Sequence, residues 1–198
     1  MPNTWKHTRE AIKADVYRNI GTFSRRIVLK EVFRFGSTVG VLILYRLCHY
    51  FSEKSHCNLL QKMAHAICYM LFKRKQIICG IELNQHTQIG PGLRLPHRSG
   101  IIIHPMAVIG ANCEIMQNVT LGNNIVKSRT GVPVIGNEVL ICAGAKLIGQ
   151  IHVGNRVVIA ANAVVNHDIE DGYVAGGVPA KVLKPSSDVY LINCNYNL

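Results

Sequence analysis

Acidic and aromatic residues are scarce in this chain of 198 residues, which has eleven Asp and Glu and only 7% Phe, Trp and Tyr. Charged residues of both signs reach 17% against 48% hydrophobic, so the apolar content suffices for a core and excludes a disordered polymer. The 17 glycines follow no three-residue period, which excludes a collagen-like chain. Long hydrophobic runs are absent as well. Within the first 76 residues the longest uncharged stretches, 35–45 and 63–72, are eleven and ten residues, and the longest of the whole chain, 99–113, is fifteen, against the roughly 20 apolar residues that a membrane-spanning helix requires. The polar start Met1-Pro2-Asn3-Thr4-Trp5-Lys6-His7 offers no apolar core of a secretory signal. The seven cysteines (Cys48, Cys57, Cys68, Cys79, Cys113, Cys142, Cys194) are an odd number without a CxxC pair. They read as reduced thiols of a cytoplasmic protein, with neither a disulfide framework nor a metal site expected.

Positive charge is abundant. Twenty-two Lys and Arg leave a formal charge of +11, which admits nucleic acid, an anionic membrane or a polyanionic substrate as partner. Residues 1–76 carry fourteen Lys and Arg against four Asp and Glu, a net +10, whereas residues 77–198 carry eight against seven, a net +1. The basic segment 1–76 reads as α-helical. Ile20, Phe23 and Ile27, then Val28, Val32 and Phe35, and later Leu60, Met63, Ile67 and Met70/Leu71 recur at three- and four-residue steps. Residues 39–51 are apolar nearly all round, as in a helix covered by its neighbours. The cations of this segment either face water, collar an oligomer or rest on anionic lipid. No nucleic-acid-binding motif accompanies them, so nucleic acid is not expected as a partner.

From about Ile77 a period of six replaces the helical one. Ile103, Ile109, Ile115 and Leu121 occupy the first position of successive hexapeptides, and the register resumes at Ile135, Ile141, Leu147, Val153, Ile159 and Val165. Position five is always small or aliphatic, as in Ala107, Cys113, Val119, Val139, Ala145 and Ile151. Ten hexapeptides in one register predict a parallel β-helix over 77–184, three hexapeptides to a triangular coil and about five coils in all. Each first-position aliphatic points inward and stacks on its counterpart about 4.8 Å above. The period alone leaves the handedness open. Two departures interrupt it. Between Leu95 and Ile103 the count is eight, so His97-Arg98-Ser99-Gly100 bulges out; between Leu121 and Ile135 it is fourteen, so residues 124–134 contain an ejected loop. Such excursions on a rigid scaffold are where a site can be built. Residues 185–198 read as a C-terminal tail.

The runs Ile81-Glu82-Leu83-Asn84, Ile89-Gly90-Pro91-Gly92-Leu93-Arg94-Leu95-Pro96-His97-Arg98-Ser99-Gly100-Ile101, Gln117-Asn118-Val119-Thr120-Leu121-Gly122, Ala143-Gly144-Ala145-Lys146 and Ala175-Gly176-Gly177-Val178-Pro179-Ala180-Lys181-Val182 resemble the serine acetyltransferase branch of the hexapeptide acyltransferases. The resemblance implies a left-handed β-helix, a homotrimer, and acetyl-CoA as co-substrate without a metal. It also implies that His97 is the catalytic base and that Glu82, fifteen residues earlier, takes the place of the aspartate that orients it. The chemistry needs such a pair. A hydroxyl is a poor nucleophile near neutrality, and a neutral imidazole can take its proton as it attacks a thioester. By position, the resemblance puts Ala143, Gly144, Ala161, Gly176 and Gly177 along the pantetheine arm, with Lys181 and His167 near the nucleotide phosphates.

The sequence departs from that branch where the amino-acid substrate is held. Pro96 stands in place of an aspartate before the histidine, and Gly131-Val132 in place of an arginine-histidine pair. The expectation drawn from this is the same reaction on another alcohol. It resembles the enzymes of capsule and exopolysaccharide gene sets: an O-acetyltransferase for a saccharide hydroxyl, with Arg98, Lys127 and Arg129 holding an acceptor such as an acidic polysaccharide. A cytoplasmic enzyme, peripheral at the inner face of the membrane, would suit the basic helices. The alternatives are a serine O-acetyltransferase with other groups binding the amino acid, and a non-catalytic trimeric scaffold on a membrane surface. A carbonic-anhydrase-like metal site is not expected, because no three histidines stand out as its ligands.

Overall fold

The computed structural model describes residues 4–52, 58–126, 128 and 130–186. Four helices come first: α1 (Trp5–Ile20), α2 (Arg25–Phe33), α3 (Thr38–Ser52) and α4 (Leu59–Cys79). All four begin at a polar cap, α3 at Ser37, whose Oγ accepts from Gly40 N–H at 2.9 Å. The side chains of Thr4, Ser24 and Asn58 accept from the N–H groups of His7, Ile27 and Gln61, each satisfying one of the donors that a helix start leaves open. Gly21 (φ 85°) and Gly80 (φ 61°) end α1 and α4 in the left-handed conformation. Helix α3 is buried on almost every side, with Val39, Val41, Leu42, Ile43, Leu44 and Tyr45 all enclosed, as its all-round apolar sequence predicts. The helical part extends past 76: Ile77 and Ile78, which fit an aliphatic strand equally well, complete α4, and the junction falls at Gly80.

The strands wind in coils. β1 (Ile81–Glu82) and β2 (Gln88–Ile89) open the first coil; β3 (Ile101–Ile103), β4 (Val108–Ile109) and β5 (Glu114–Ile115) make the second. β6 (Thr120–Gly122), β7 (Val134–Ile135) and β8 (Leu140–Ile141) make the third, and β9 (Lys146–Ile148), β10 (His152–Val153) and β11 (Val158–Ile159) the fourth. β12 (Val164–Val165) and β13 (Tyr173–Gly177) close the stack, and β14 (Ala180–Pro185) folds back antiparallel on β13. Consecutive strands step from sheet to sheet, so each of the three parallel sheets collects one strand per coil. The register follows the six-residue period: Ile103 pairs with Leu121, Leu121 with Leu147 and Leu147 with Val165. Ile109, Ile135 and Val153 line up in the second sheet, and Ile115, Ile141, Ile159 and Ala175 in the third. All these residues lie in the core, where each large aliphatic contributes roughly 1.5–3 kcal/mol.

One corner shows why glycine opens so many hexapeptides. A Cβ on Gly110 would stand 2.4 Å from the carbonyl oxygen of Gly136, one coil up, so the coils approach too closely there for any side chain. Asn137, Asn155 and Asp171 climb the same corner, each accepting a backbone N–H from the coil below: Ala111, Asn137 and Asn155 respectively.

The helices are bolted to the first two coils by charged groups facing their backbone. Arg46 donates to the carbonyls of Ile89 and Gly90, both at 2.6 Å, and Arg18 to those of Gly92 and Cys113, at 2.8 and 3.1 Å. Asp15 accepts from the N–H groups of Gly92 and Leu93. Lys75 of α4 donates to the carbonyls of Glu31 and Arg34. Part of the positive charge thus serves as internal mortar. The charged groups are largely desolvated, but they are hydrogen-bonded, which is the condition for tolerating them.

Candidate active site

His97 stands exposed on the excursion between β2 and β3, where Ser99 (φ 86°) and Gly100 (φ 70°) adopt left-handed backbone. The bulge is pinned above and below. Ser99 N–H donates to the Cys79 carbonyl at 2.7 Å, and the Ser99 carbonyl accepts from Asn118 N–H at 3.0 Å. On its approach, the peptide of Leu95 is held from both sides: its N–H by Asn19 Oδ1 at 3.0 Å and its carbonyl by Thr38 Oγ1 at 2.8 Å. His97 therefore sits two residues beyond a backbone segment fixed by the helices.

The excursion belongs to an edge of the coil running up through Gly80, Gly100, Asn118, Gly144 and Asn162, all in the left-handed conformation. Gly144 N–H donates to the Gln117 carbonyl and Asn162 N–H to the Ala143 carbonyl, each at 2.9 Å. The side chains of Asn118 and Asn162 lie over Gly100 and Gly144, where a Cβ would come within 2.2 and 2.0 Å of their Oδ1 atoms. Gly176, beside Ala160 one coil below, carries the edge upward, and Gly177 (φ 99°) ends it. Ala143, Gly144, Ala161, Gly176 and Gly177 thus line one edge above the His97 excursion, at about 4.8 Å per coil. Lys181 pairs with Gly176 across the β13–β14 hairpin and reaches the top of the same edge. His167 lies elsewhere, on the corner after β12, with Nδ1 at 3.2 Å from Asn166 Oδ1.

Glu82 is exposed on β1, and its register partner is Ile102 of β3. The strand entered from the His97 excursion is thus its immediate neighbour, although the two side chains are not hydrogen-bonded to each other among the described residues. The guanidinium of Arg98 packs on Gly36, where a Cβ would meet Nη1 at 2.2 Å, so this side chain turns toward the α2–α3 junction. Lys127 and Arg129 lie outside the described residues. The ejected loop leaves from the far end of β6, so within one chain it and the His97 excursion stand on different corners. Its flanks are ordered by Ser128, whose Oγ accepts from Gly131 N–H at 3.0 Å, and Val132 follows Gly131 there without a charged group.

Two polar groups of this edge lie in the runs that carry the family resemblance, but the sequence assigned them no role. Lys146 Nζ donates to the Asn118 carbonyl, and Gln117 Oε1 is buried without a hydrogen-bond partner among the described residues. Neither departs from the repeat pattern, so only the coil geometry reveals them. The cysteines of the core are not candidates for chemistry: burial pushes the Cys113 thiol up to about 11 and that of Cys48 to about 12. Among the described residues no group of three or more His, Cys, Asp or Glu is placed to hold a metal ion, and no helix is long and apolar enough to cross a membrane.

The family model described as bacterial transferase hexapeptide (six repeats) matches residues 133–167. The serine acetyltransferase of Helicobacter pylori J99 is 35% identical over 145 residues, which cover 73% of this chain and 80% of that relative. The chain belongs to the serine acetyltransferase family. Another member, from Synechococcus elongatus, is 30% identical over 142 residues; the match takes in 72% of this chain but only 55% of that longer relative. Among solved structures of the family, the serine acetyltransferase of Brucella abortus S19 superposes with a TM-score of 0.68 at 30% identity, covering 93% of this chain and 71% of that one. The same enzyme in complex with coenzyme A gives 0.68 at 29%, covering 92% and 68%.

These relatives correct the expectation of a saccharide acceptor and of a capsule or exopolysaccharide enzyme, because they are serine acetyltransferases. Pro96 and Gly131-Val132 carry no charge for an amino acid. Missing charges remove one way of holding serine, but they do not create a site for a sugar.

Proposed function

We propose that this protein is a serine O-acetyltransferase that uses acetyl-CoA as donor. The observation that supports it most is the placement of His97 at the foot of an edge lined by Ala143, Gly144, Ala161 and Gly177, in a member of this family. On this reading, the coil is left-handed, as the family resemblance implies, and three copies assemble so that a neighbour completes the groove. The pantetheine arm lies along the edge, where the missing side chains let it approach backbone groups. Lys181 stands near the phosphates at the top. The enzyme works in a reducing, cytoplasmic setting.

The serine hydroxyl gives its proton to the His97 imidazole as its oxygen attacks the thioester carbonyl carbon. The C–S bond then breaks, and the imidazolium returns the proton to the departing CoA sulfur. Glu82, on the strand beside the one that the His97 excursion enters, orients the ring and stabilises its cationic form. Pro96 and Val132 offer no charge to the amino acid, so other groups bind it, with Lys127 and Arg129 of a neighbouring copy's ejected loop as candidates for its carboxylate. Arg98, turned toward Gly36, serves the excursion's position instead.

The test is release of free CoA thiol with acetyl-CoA and L-serine. The native chain should turn over, and His97→Ala should lose about 10²- to 10⁴-fold in kcat while keeping its circular dichroism and assembly size. No turnover with serine, or full activity in His97→Ala, would overturn the proposal.

A further inference from the structure

Helix α2 and the turn after it expose large apolar side chains beside cations, as α4 also does with Leu59, Leu60, Met63, Ile67 and Met70, but α2 is the one that leads into the candidate site. Leu29, Phe33 and Phe35 are 63%, 70% and 79% exposed. Arg25, Leu29 and Phe33 form one i, i+4, i+8 row, with Arg26 and Lys30 beside it, and these five side chains are all exposed. The helix's acid, Glu31, is turned away: it is buried, and its Oε2 accepts from Ser37 Oγ at 2.6 Å. Its other oxygen meets Arg34 at 3.3 Å. The outward face therefore combines large apolar side chains with cations and has no acid of its own.

An adjoining groove of about 610 Å³ between α1, α2 and α3 repeats this chemistry. Trp5, Ile12, Phe23 and Val28 make its apolar walls, and Arg9 and Arg25 are among its cations. Glu10 pairs with Arg9 and Lys13 there only at 3.4 Å.

We infer that α2 docks this protein on an anionic phospholipid surface, with Leu29, Phe33 and Phe35 entering the headgroup–acyl boundary and Arg25, Arg26 and Lys30 meeting lipid phosphates. Charge complementarity selects this occupant. A second copy of the same face would set cation against cation, whereas an apolar row flanked by Arg and Lys is the pattern of an interfacial helix. The face also adjoins the candidate site: Thr38, just past the turn, bonds the Leu95 carbonyl, and Gly36 supports Arg98. Docking would hold the His97 excursion close to the lipid surface.

Co-sedimentation of the full chain with phosphatidylcholine vesicles, with and without phosphatidylglycerol, tests this without any need for enzymatic turnover. The chain should sediment with the anionic vesicles only, and about 1 M salt, where the Debye length is ~3 Å, should release it. Replacing Arg25, Arg26 and Lys30 by Gln should weaken binding roughly fivefold for each charge removed. Leu29→Ser with Phe33→Ser and Phe35→Ser should abolish it with circular dichroism unchanged. As a check that does not rely on loss, Phe33→Trp in a Trp5→Phe background should shift its emission to the blue on anionic vesicles. The inference is overturned by absent binding, by equal binding to neutral vesicles, by indifference to the Gln variant, or by a serine variant that changes only the oligomeric mass.

Discussion

Asp15 of α1 and Arg46 of α3 form a buried ion pair, Oδ2 to Nε at 2.8 Å, whose remaining hydrogen-bonding capacity goes to the backbone of the first coil. The pair is thus a joint between the helical segment and the β-helix. Asp15→Ala leaves a guanidinium buried without its counter-ion and should cost about 3–5 kcal/mol. In a chain of this size that corresponds to a fall in Tm on the order of 10 °C. A double replacement, Asp15→Leu with Arg46→Met, should lose less than the single one, and thermal unfolding of both variants decides the point.

Asn19 and Thr38 hold the two faces of the Leu95 peptide, two residues before His97. Removing both, Asn19→Ala with Thr38→Ala, should loosen the excursion while the imidazole remains. The expected result is a kcat lowered about ten- to a hundredfold with the KM for acetyl-CoA little changed, because misplacement acts on the reacting geometry. A variant that lost acetyl-CoA affinity and kept kcat would contradict this placement.

Two glycines that look alike in sequence should respond differently to alanine. At Gly110 the new Cβ meets backbone, the Gly136 carbonyl at 2.4 Å, and the coils must separate. At Gly144 it meets the end of the Asn162 side chain, which can rotate aside, leaving mainly the strain of φ 79°. Gly144→Ala should cost about 1–2 kcal/mol, and Gly110→Ala more than that. Urea denaturation of the two variants gives the ranking.

Asp171 has a carboxyl held below its ordinary 3.8, chiefly by hydrogen bonds from the side chain and backbone N–H of Asn155. A depressed carboxylate contributes stability that is present above the unfolded value and is lost as pH falls through the folded one. The stability gap between the native chain and Asp171→Asn should therefore hold from neutral pH down to about 5, where the unfolded carboxyl begins to titrate, and shrink below it. A gap that widened on acidification would contradict the hydrogen-bond assignment.

Much of the β-helix is legible because its period is local. Ile103, Ile109, Ile115 and Leu121 announce inward positions by spacing alone, and each proves buried and stacked on its counterpart. The excursion at His97 and the loop at 124–134 were equally visible, as miscounts in that period. The end of α4 was not, since Ile77 and Ile78 suit a helix and a strand alike until Gly80 turns the chain. The acceptor could not be read from Pro96 and Val132 either, because an absent contact names no replacement.

By itself, the sequence determined the six-residue coil, its two interruptions, the helical segment before it, and the concentration of positive charge in that segment. Only the tertiary structure decided which charges are mortar and which are surface. Arg18 and Arg46 find carbonyls 43–95 residues away, while Arg25, Arg26 and Lys30 stay outside beside Leu29 and Phe33. It also decided that the His97 excursion shares an edge with Ala143 and Gly144 while the ejected loop does not. The physical reason is the same in both cases. Period and propensity are written in neighbouring residues, but a hydrogen bond between distant backbone and side chain exists only once coils and helices have packed.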